Sequence, residues 1–208
     1  MSLSLPVIRE YGVLSTSSLR LCWAAAVLAL IVRPPLHRYT RAQWRAALVL
    51  GAGGAARAIV YALLSVGASL TLLNRTPQRA RSLLEELGPL APDGLRLEGG
   101  SLEASTLRRA AAGAEVIINA TTLGMCPATD ASPWPDDVHI PGDAFCYDVV
   151  YNPRNTRWLT QARAAGCDAA DGLGMLVHQG AEALELWTGR VAPVEIMRAA
   201  CEVALGGE

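Results

Sequence analysis

Lysine is absent from this chain of 208 residues, in which all 18 basic positions are arginine. Any mechanism that needs a side-chain ammonium group is therefore excluded for this chain on its own. The formal net charge is −1, and the isoelectric point is near 6.3. This balance lacks the excess of positive charge that proteins use to bind nucleic acid or anionic membranes. We expect neither as a partner, and any bound anion must be held by local groups.

Cysteine and histidine are few and dispersed. The five cysteines contain no C-x-x-C pair, and the three histidines (His37, His139 and His178) form no cluster in the sequence. The short paired spacings of a secreted disulfide framework or of a zinc site are thus missing. The apolar run over residues 21–32 is shorter than the ~20 residues that cross a bilayer. We expect reduced thiols, a cytoplasmic location and no metal.

The chain changes character near residue 45. Residues 1–45 form a segment of unknown role, whereas short apolar strands alternate with alanine-rich helices over 46–208. This alternation predicts an α/β domain with a doubly wound (Rossmann-type) parallel sheet and flanking helices. Strands are predicted over 47–50, 69–73, 95–97, 115–119, 144–149 and 167–169. Helices are predicted over 55–66, 77–87, 102–111 and 155–165, and two more complete the carboxyl-terminal part.

A glycine-rich turn lies directly between the first predicted strand and the first predicted helix. Such a turn lets the backbone approach a pyrophosphate, and the N–H groups at the start of the helix point towards the phosphates. Ala56 takes the place of the third glycine, which keeps helix and strand close. The pattern predicts a dinucleotide-binding site, with contacts from Gly51, Ala52, Gly53, Gly54 and Ala55.

The end of the second predicted strand indicates which dinucleotide binds. NAD-binding domains usually place an acidic residue there, which accepts a hydrogen bond from the ribose 2′-hydroxyl. This chain has Asn74, Arg75 and Thr76 instead, and Arg79 follows one helical turn later. A carboxylate would repel a 2′-phosphate, whereas a guanidinium group binds one with parallel hydrogen bonds. NADP is therefore favoured over NAD as the cofactor.

Five motifs together resemble the shikimate dehydrogenase family in order and spacing, over about four fifths of the chain. They are the glycine turn, the triplet at 74–76, and the segments NATTLGM (119–125), DVVYNP (148–153) and DGLGMLVHQ (171–179). The resemblance implies that Asn74, Arg75, Thr76 and Arg79 hold the adenosine phosphate. It also implies that Thr121, Val149, Gly172 and Met175 surround the nicotinamide. Tyr151 and Gln179 would then reach the substrate.

The resemblance implies an NADP-dependent oxidoreductase that interconverts 3-dehydroshikimate and shikimate, a small-molecule substrate. That family has a second, amino-terminal domain, which supplies a Lys–Asp pair for proton transfer. Residues 1–45 contain no Lys, Asp or Asn. Tyr151, His178 or a partner chain are the remaining proton sources, and we assign no catalytic residue.

Three interpretations of the function stay open. The chain is an oxidoreductase completed by another polypeptide, a catalytically incomplete NADP-binding module, or a related reductase with a different substrate. A homo-oligomer and a partner chain that supplies the missing domain both stay open as well.

Overall fold

Residues 46–206 are described by the structure of this chain, which is a computed structural model. The predicted segment over 1–45, with its apolar run at 21–32, lies outside the described residues. Within them, six parallel strands form one sheet in the order β3-β2-β1-β4-β5-β6. This order, with two halves that wind outwards from β1 and β4, confirms the predicted doubly wound fold.

Helices connect successive strands along the chain, except between β4 and β5, where a long loop makes the crossover that parallel strands require. The strands are β1 (Ala46–Leu50), β2 (Ser69–Asn74), β3 (Leu97–Ser101), β4 (Val116–Asn119), β5 (Phe145–Asp148) and β6 (Ala169–Ala170). The helices are α1 (Gly54–Ser65), α2 (Pro77–Leu87), α3 (Ala104–Ala111), α4 (Arg157–Ala164), α5 (Leu173–Thr188) and α6 (Val194–Leu205). A short 3-10 turn, Gly88–Leu90, follows α2.

The sheet is covered on both faces, so its central strands are apolar throughout. One core packs α1 and α2 against the sheet, and it includes Val49, Ile59 and Leu72. The other packs α3, α4 and the long β4–β5 connection against the opposite face. There the stacked rings of Trp134 and Trp158 lie with their centroids 5.0 Å apart. Burial on both faces explains the near-continuous apolar sequence of β1 and β4.

The predicted positions of two strands differ from the structure. The third strand, predicted over 95–97, is Leu97–Ser101 and contains Gly99 and Gly100. Glycine is rare inside strands, but a Cβ atom at Gly99 would lie 3.2 Å from Arg81 of α2. The close approach of α2 to β3 therefore favours glycine there. The sixth strand, predicted over 167–169, is the two-residue Ala169–Ala170.

The two carboxyl-terminal helices are the least buried part of the described chain. Helix α6 has no buried residue and packs on α5. Large apolar side chains are exposed on these helices and the link between them, among them Leu186, Trp187, Val191, Ile196 and Val203. Trp187, the largest of them, is 80% exposed. We refer to these five side chains as the α5–α6 apolar face.

Four of the five cysteines fall within the described residues, and all four are free thiols: Cys126, Cys146, Cys167 and Cys201. This agrees with the expectation of reduced cysteines for those four positions. No helix in the described part of the chain is long and apolar enough to span a membrane.

Candidate functional site

A cleft of about 390 Å³ opens at the carboxyl ends of the strands, between the glycine turn and the loops that follow β4 and β5. Carboxyl-end clefts of this kind are where doubly wound sheets bind ligands. Its walls come from three segments: Gly53, Gly54 and Ala55; Ala120, Thr121, Thr122, Met125 and Cys126; and Val149, Val150, Tyr151 and Asn152. Six of the residues predicted for the site thus share one cleft, namely Gly53, Gly54, Ala55, Thr121, Val149 and Tyr151.

The glycine turn has two kinds of glycine. Gly51 has a φ of +108°, and a Cβ atom there would lie 2.8 Å from the carbonyl oxygen of Ala120. Gly51 is therefore required by the protein itself, because the tight turn from β1 into α1 packs against the backbone that follows β4. At Gly53 and Gly54, by contrast, a Cβ atom would meet no protein atom within 4 Å. The open space above these two residues fits a ligand that approaches the backbone closely.

The amino terminus of α1 points at this cleft, and no acidic side chain in its first turn offsets the positive end of the helix dipole. Gly53 caps the helix without a side-chain hydrogen bond, and the first turn contains no acidic residue. The first backbone N–H groups of a helix have no partner within it, and they favour an anion. The turn and the helix together therefore suit a pyrophosphate group, such as the one in NADP.

The predicted adenosine-phosphate residues lie at the end of β2, beside this turn. The Asn74 side chain donates to the carbonyl oxygen of Thr76 over 2.9 Å, which fixes the entry into α2. Arg75 and Arg79 are exposed, and neither forms an ion pair with any residue in the range 46–206. The first turn of α2 has no acidic residue. Arginines at the positive end of a helix are unfavourable on their own, so their placement suits a bound anion.

A buried polar network lies beneath the cleft, at the ends of β4 and β5. Asn119, Asp148 and Thr156 are each 0% exposed. Asp148 accepts three hydrogen bonds, from the Asn119 side chain (2.9 Å), the Val150 backbone N–H (3.0 Å) and the Thr156 hydroxyl (2.7 Å). Thr156 also caps α4, because its hydroxyl accepts from the backbone N–H of Leu159 over 3.3 Å. The carboxylate thus joins two strands and a helix.

The same network reaches the loop after β4. The side-chain oxygen of Asn119 accepts from both the backbone N–H of Thr121 (3.0 Å) and its hydroxyl (2.7 Å). The Thr121 hydroxyl in turn accepts from the N–H of Leu123 over 3.1 Å. Each of these buried polar groups has a partner, which is the condition for such a network to stabilise a fold.

Burial raises the pKa of Asp148 to about 6, and the hydrogen bonds from Thr156, Val150 and Asn119 oppose the rise. Desolvation is the larger effect because the carboxylate is removed from water while its partners are neutral dipoles. The carboxyl group is therefore mostly ionised at pH 7 and gains a proton in mildly acidic solution.

The raised pKa of Asp148 predicts a pH dependence of stability. Between pH 4 and pH 6 the unfolded chain ionises this carboxyl group while the folded chain still holds the proton. The free energy of unfolding of the wild type should therefore fall, relative to that of Asp148→Asn, as the pH rises through this window. A pKa near 6 against 3.8 corresponds to roughly 3 kcal/mol at most. Urea unfolding of both proteins at pH 4, 5, 6 and 7 measures the difference. Parallel pH profiles would contradict the assignment.

Helix α5 begins against the loop that follows β5. The backbone N–H of Gly172 donates to the carbonyl oxygen of Val150 over 3.0 Å. A Cβ atom at Gly172 would overlap the carbonyl oxygen of Val149 and lie 2.5 Å from its carbonyl carbon. Only glycine fits this contact. Met175 lies half-buried on the first turn of α5.

Not every predicted residue lines the cleft. Among those that do not, Gly172 caps the amino terminus of α5 and contacts Val149 and Val150, Met175 lies on the first turn of α5, and Gln179 is an exposed residue of the same helix. His178 is half-buried there. The roles assigned to these residues remain predictions.

Several residues of the site have no role predicted from the sequence, and four of them form two hydrogen-bonded pairs, Cys126 with Asn152 and Asn119 with Asp148. Cys126 and Asn152 line the cleft, and the Cys126 thiol donates to the Asn152 side-chain oxygen over 3.4 Å. Asn119 and Asp148 carry the network below. The sequence contains a signal for Asn119 and Asp148, because each is a polar residue that ends an otherwise apolar strand. Within residues 46–206, no group of three or more His, Cys, Asp or Glu side chains is arranged to hold a metal ion.

Three comparisons with known proteins agree with this geometry. A family model described as the Shikimate 5'-dehydrogenase C-terminal domain matches residues 172–202. The chain is 44% identical over 164 residues to the shikimate dehydrogenase (NADP(+)) of Moorella thermoacetica, and the match covers 77% of this chain and 54% of that protein. The chain therefore spans about half the length of this relative.

Solved structures of the same kind share the fold. The shikimate 5-dehydrogenase of Thermus thermophilus, in complex with NADP(H) and shikimate, is 35% identical with a TM-score of 0.70. That match covers 88% of this chain and 62% of the Thermus chain. The quinate dehydrogenase of Corynebacterium glutamicum, in complex with NAD, is 29% identical with a TM-score of 0.71, and the match covers 85% of this chain and 60% of that one.

Proposed function

We propose that this chain, which belongs to the shikimate dehydrogenase family, binds NADP at the carboxyl edge of its sheet and serves hydride transfer between 3-dehydroshikimate and shikimate. The observation that carries the proposal is the cleft itself. It joins an uncompensated helix terminus, two glycines with open space above them and the ends of β4 and β5. The relatives described above bear the names of enzymes that act on such substrates.

The proposed binding mode divides the cofactor between the two halves of the sheet. Arg75 and Arg79, with Asn74 and Thr76, would hold the 2′-phosphate of the adenosine ribose at the end of β2. The glycine turn would hold the pyrophosphate. Thr121 and Val149, at the ends of β4 and β5, would face the nicotinamide, together with Gly172 and Met175 at the start of α5. Tyr151 and Gln179 would contact the substrate.

The nicotinamide, when bound, supplies or accepts the hydride. The protein must then manage one proton at the substrate oxygen, which is typically worth 10²–10⁴-fold in rate. Tyr151 and Cys126 are ionisable residues of the cleft wall, and Tyr151, which is 36% exposed, is the one that would approach this oxygen. With no lysine in the sequence, Tyr151, His178 or a group from another polypeptide supplies this proton.

A second function is favoured by one specific observation. Because the sequence contains no lysine, the chain also suits a module that binds NADP without turnover. Both functions require the same cofactor site and differ only in proton transfer. They are therefore separated by measuring binding and turnover independently.

The test is NADPH formation from NADP and shikimate by the purified chain, followed by the absorbance of NADPH, alongside NADP binding by calorimetry. We expect NADP to bind in the micromolar range. Turnover that depends on shikimate would support the oxidoreductase, and Tyr151→Phe should then reduce kcat by at least about tenfold if Tyr151 handles the proton. Binding without turnover would support the module. A chain that binds no NADP would contradict both. Quinate as a second substrate in the same assay measures which polyol is preferred.

A further inference from the structure

We infer that the buried pair Asp148 and Asn119 positions the nicotinamide half of the cofactor site, by fixing the loops after β4 and β5 relative to one another. This inference rests on the NADP-binding function proposed above. Neither residue lines the cleft, and both are 0% exposed. They are therefore positioning residues, which act on a ligand only through the groups that they hold.

The hydrogen bonds of the pair lead to both walls of the cleft. Asn119 holds the wall formed by the loop after β4, because its side-chain oxygen accepts hydrogen bonds from the N–H and the hydroxyl of Thr121 over 3.0 and 2.7 Å. Asp148 holds the wall formed by the loop after β5, because one of its oxygens accepts a hydrogen bond from the N–H of Val150 over 3.0 Å. That same oxygen accepts the Asn119 side chain over 2.9 Å. A single carboxylate oxygen thus links the two walls.

The other oxygen of Asp148 anchors the pair to the body of the domain. It accepts the hydroxyl of Thr156 over 2.7 Å, and Thr156 caps α4. The pair is therefore held against a helix that packs in the second core. Because the groups are buried and mutually satisfied, the arrangement tolerates little variation in geometry.

The adenosine half of the site has no connection to this network among the hydrogen bonds of residues 46–206. Arg75 and Arg79 follow β2, on the other side of β1 from β4 and β5. Asn74, which shapes that turn, bonds to Thr76 within its own loop. Loss of the buried pair should therefore weaken binding of the nicotinamide half and leave binding of the adenosine half intact.

Two ligands separate these halves. Adenosine 2′,5′-bisphosphate carries the 2′-phosphate and the adenine but no nicotinamide, whereas NADP carries both. For Asp148→Ala and for Asn119→Ala we expect the Kd of NADP to rise about tenfold, the effect of one or two lost hydrogen bonds. The Kd of adenosine 2′,5′-bisphosphate should stay within about twofold of the wild-type value. Asp148→Asn retains an oxygen that can accept from Asn119 and Val150, so it should recover most of the NADP affinity.

The controls make each outcome informative. Asp168→Ala removes an exposed carboxylate next to β6 and should change neither Kd. Should Asp148→Ala fail to fold, the Kd values of Asn119→Ala and Asp148→Asn still test the positioning role of the pair. Variants that bind both ligands as the wild type does, or lose both equally, would overturn the positioning role while leaving the proposed function standing. A wild type that binds neither ligand would instead remove the proposed function and the inference with it.

Discussion

Replacement of Gly172 by alanine should destabilise the domain by about 3 kcal/mol or more, an exceptional cost for one methyl group. The added Cβ would overlap the carbonyl oxygen of Val149 and lie 3.1 Å from its Cα. These are backbone atoms, which cannot move aside as a flexible side chain can. Either the loop after β5 shifts or α5 moves outwards, and the hydrogen bond from Gly172 to Val150 is strained or lost. Urea denaturation of the wild type and the variant measures the change.

Gly174, two residues further along, provides a matched control. It lies inside α5, and a Cβ atom there would meet nothing within 4 Å. Gly174→Ala should therefore stabilise the domain by about 0.5–1 kcal/mol, since alanine loses less backbone entropy in a helix. If the two variants change stability equally, the close contact at Gly172 is not the cause. NADP binding by Gly172→Ala should also weaken, because the loop that must move carries the Val149 wall of the cleft.

Reversal of charge at Arg75 should change cofactor preference. In Arg75→Asp the 2′-phosphate loses a charge-assisted hydrogen-bond donor, worth about 1.5–3 kcal/mol, and meets a negative charge instead. We expect NADP affinity to fall about 100-fold or more. NAD affinity should remain within about threefold of the wild-type value, since a carboxylate can accept a hydrogen bond from the ribose 2′-hydroxyl. Calorimetric titration of both nucleotides measures the two effects.

An exposed arginine far from the site controls for the change in net charge. Arg190 follows α5 at the opposite end from Gly172 and is exposed, so Arg190→Asp alters the net charge by the same amount. It should leave both affinities unchanged. Equal losses of NADP and NAD affinity in Arg75→Asp would place Arg75 away from the 2′-phosphate. Repetition at higher salt should reduce the NADP effect, because the arginine is exposed and its charge is screened.

Much of the fold can be predicted because its signals are local. Helix α2 has the predicted bounds, since Pro77 at its first position and Gly88 after its last residue mark both ends. The apolar run before a glycine turn identifies strand β1. The sequence pattern places β3 too early, because it is an edge strand with two glycines and depends on pairing with β2. Pairing partners cannot be seen in a local pattern.

The candidate site likewise has one part that can be predicted from the sequence and one part that cannot. Gly53, Thr121, Val149 and Tyr151 can be grouped from the sequence because parallel strands end at one edge of the sheet. The hydrogen bond between Asn119 and Asp148 cannot be predicted in this way, because it joins residues 29 positions apart and depends on the details of side-chain geometry. The resemblance assigns Gln179 to the substrate, and in the structure it is an exposed residue of α5 that does not line the cleft.

Helix α6, which buries no residue and packs on α5, gives the domain two levels of protection against hydrogen exchange. Its amides lose their hydrogen bonds whenever the helix detaches and unwinds, an opening that costs far less than global unfolding. Amides in β1 and β4, between two packed faces, exchange only when the whole domain opens. A partner seated on the α5–α6 apolar face would be detected as slower exchange in α6 and at the end of α5, with the rates in the sheet unchanged.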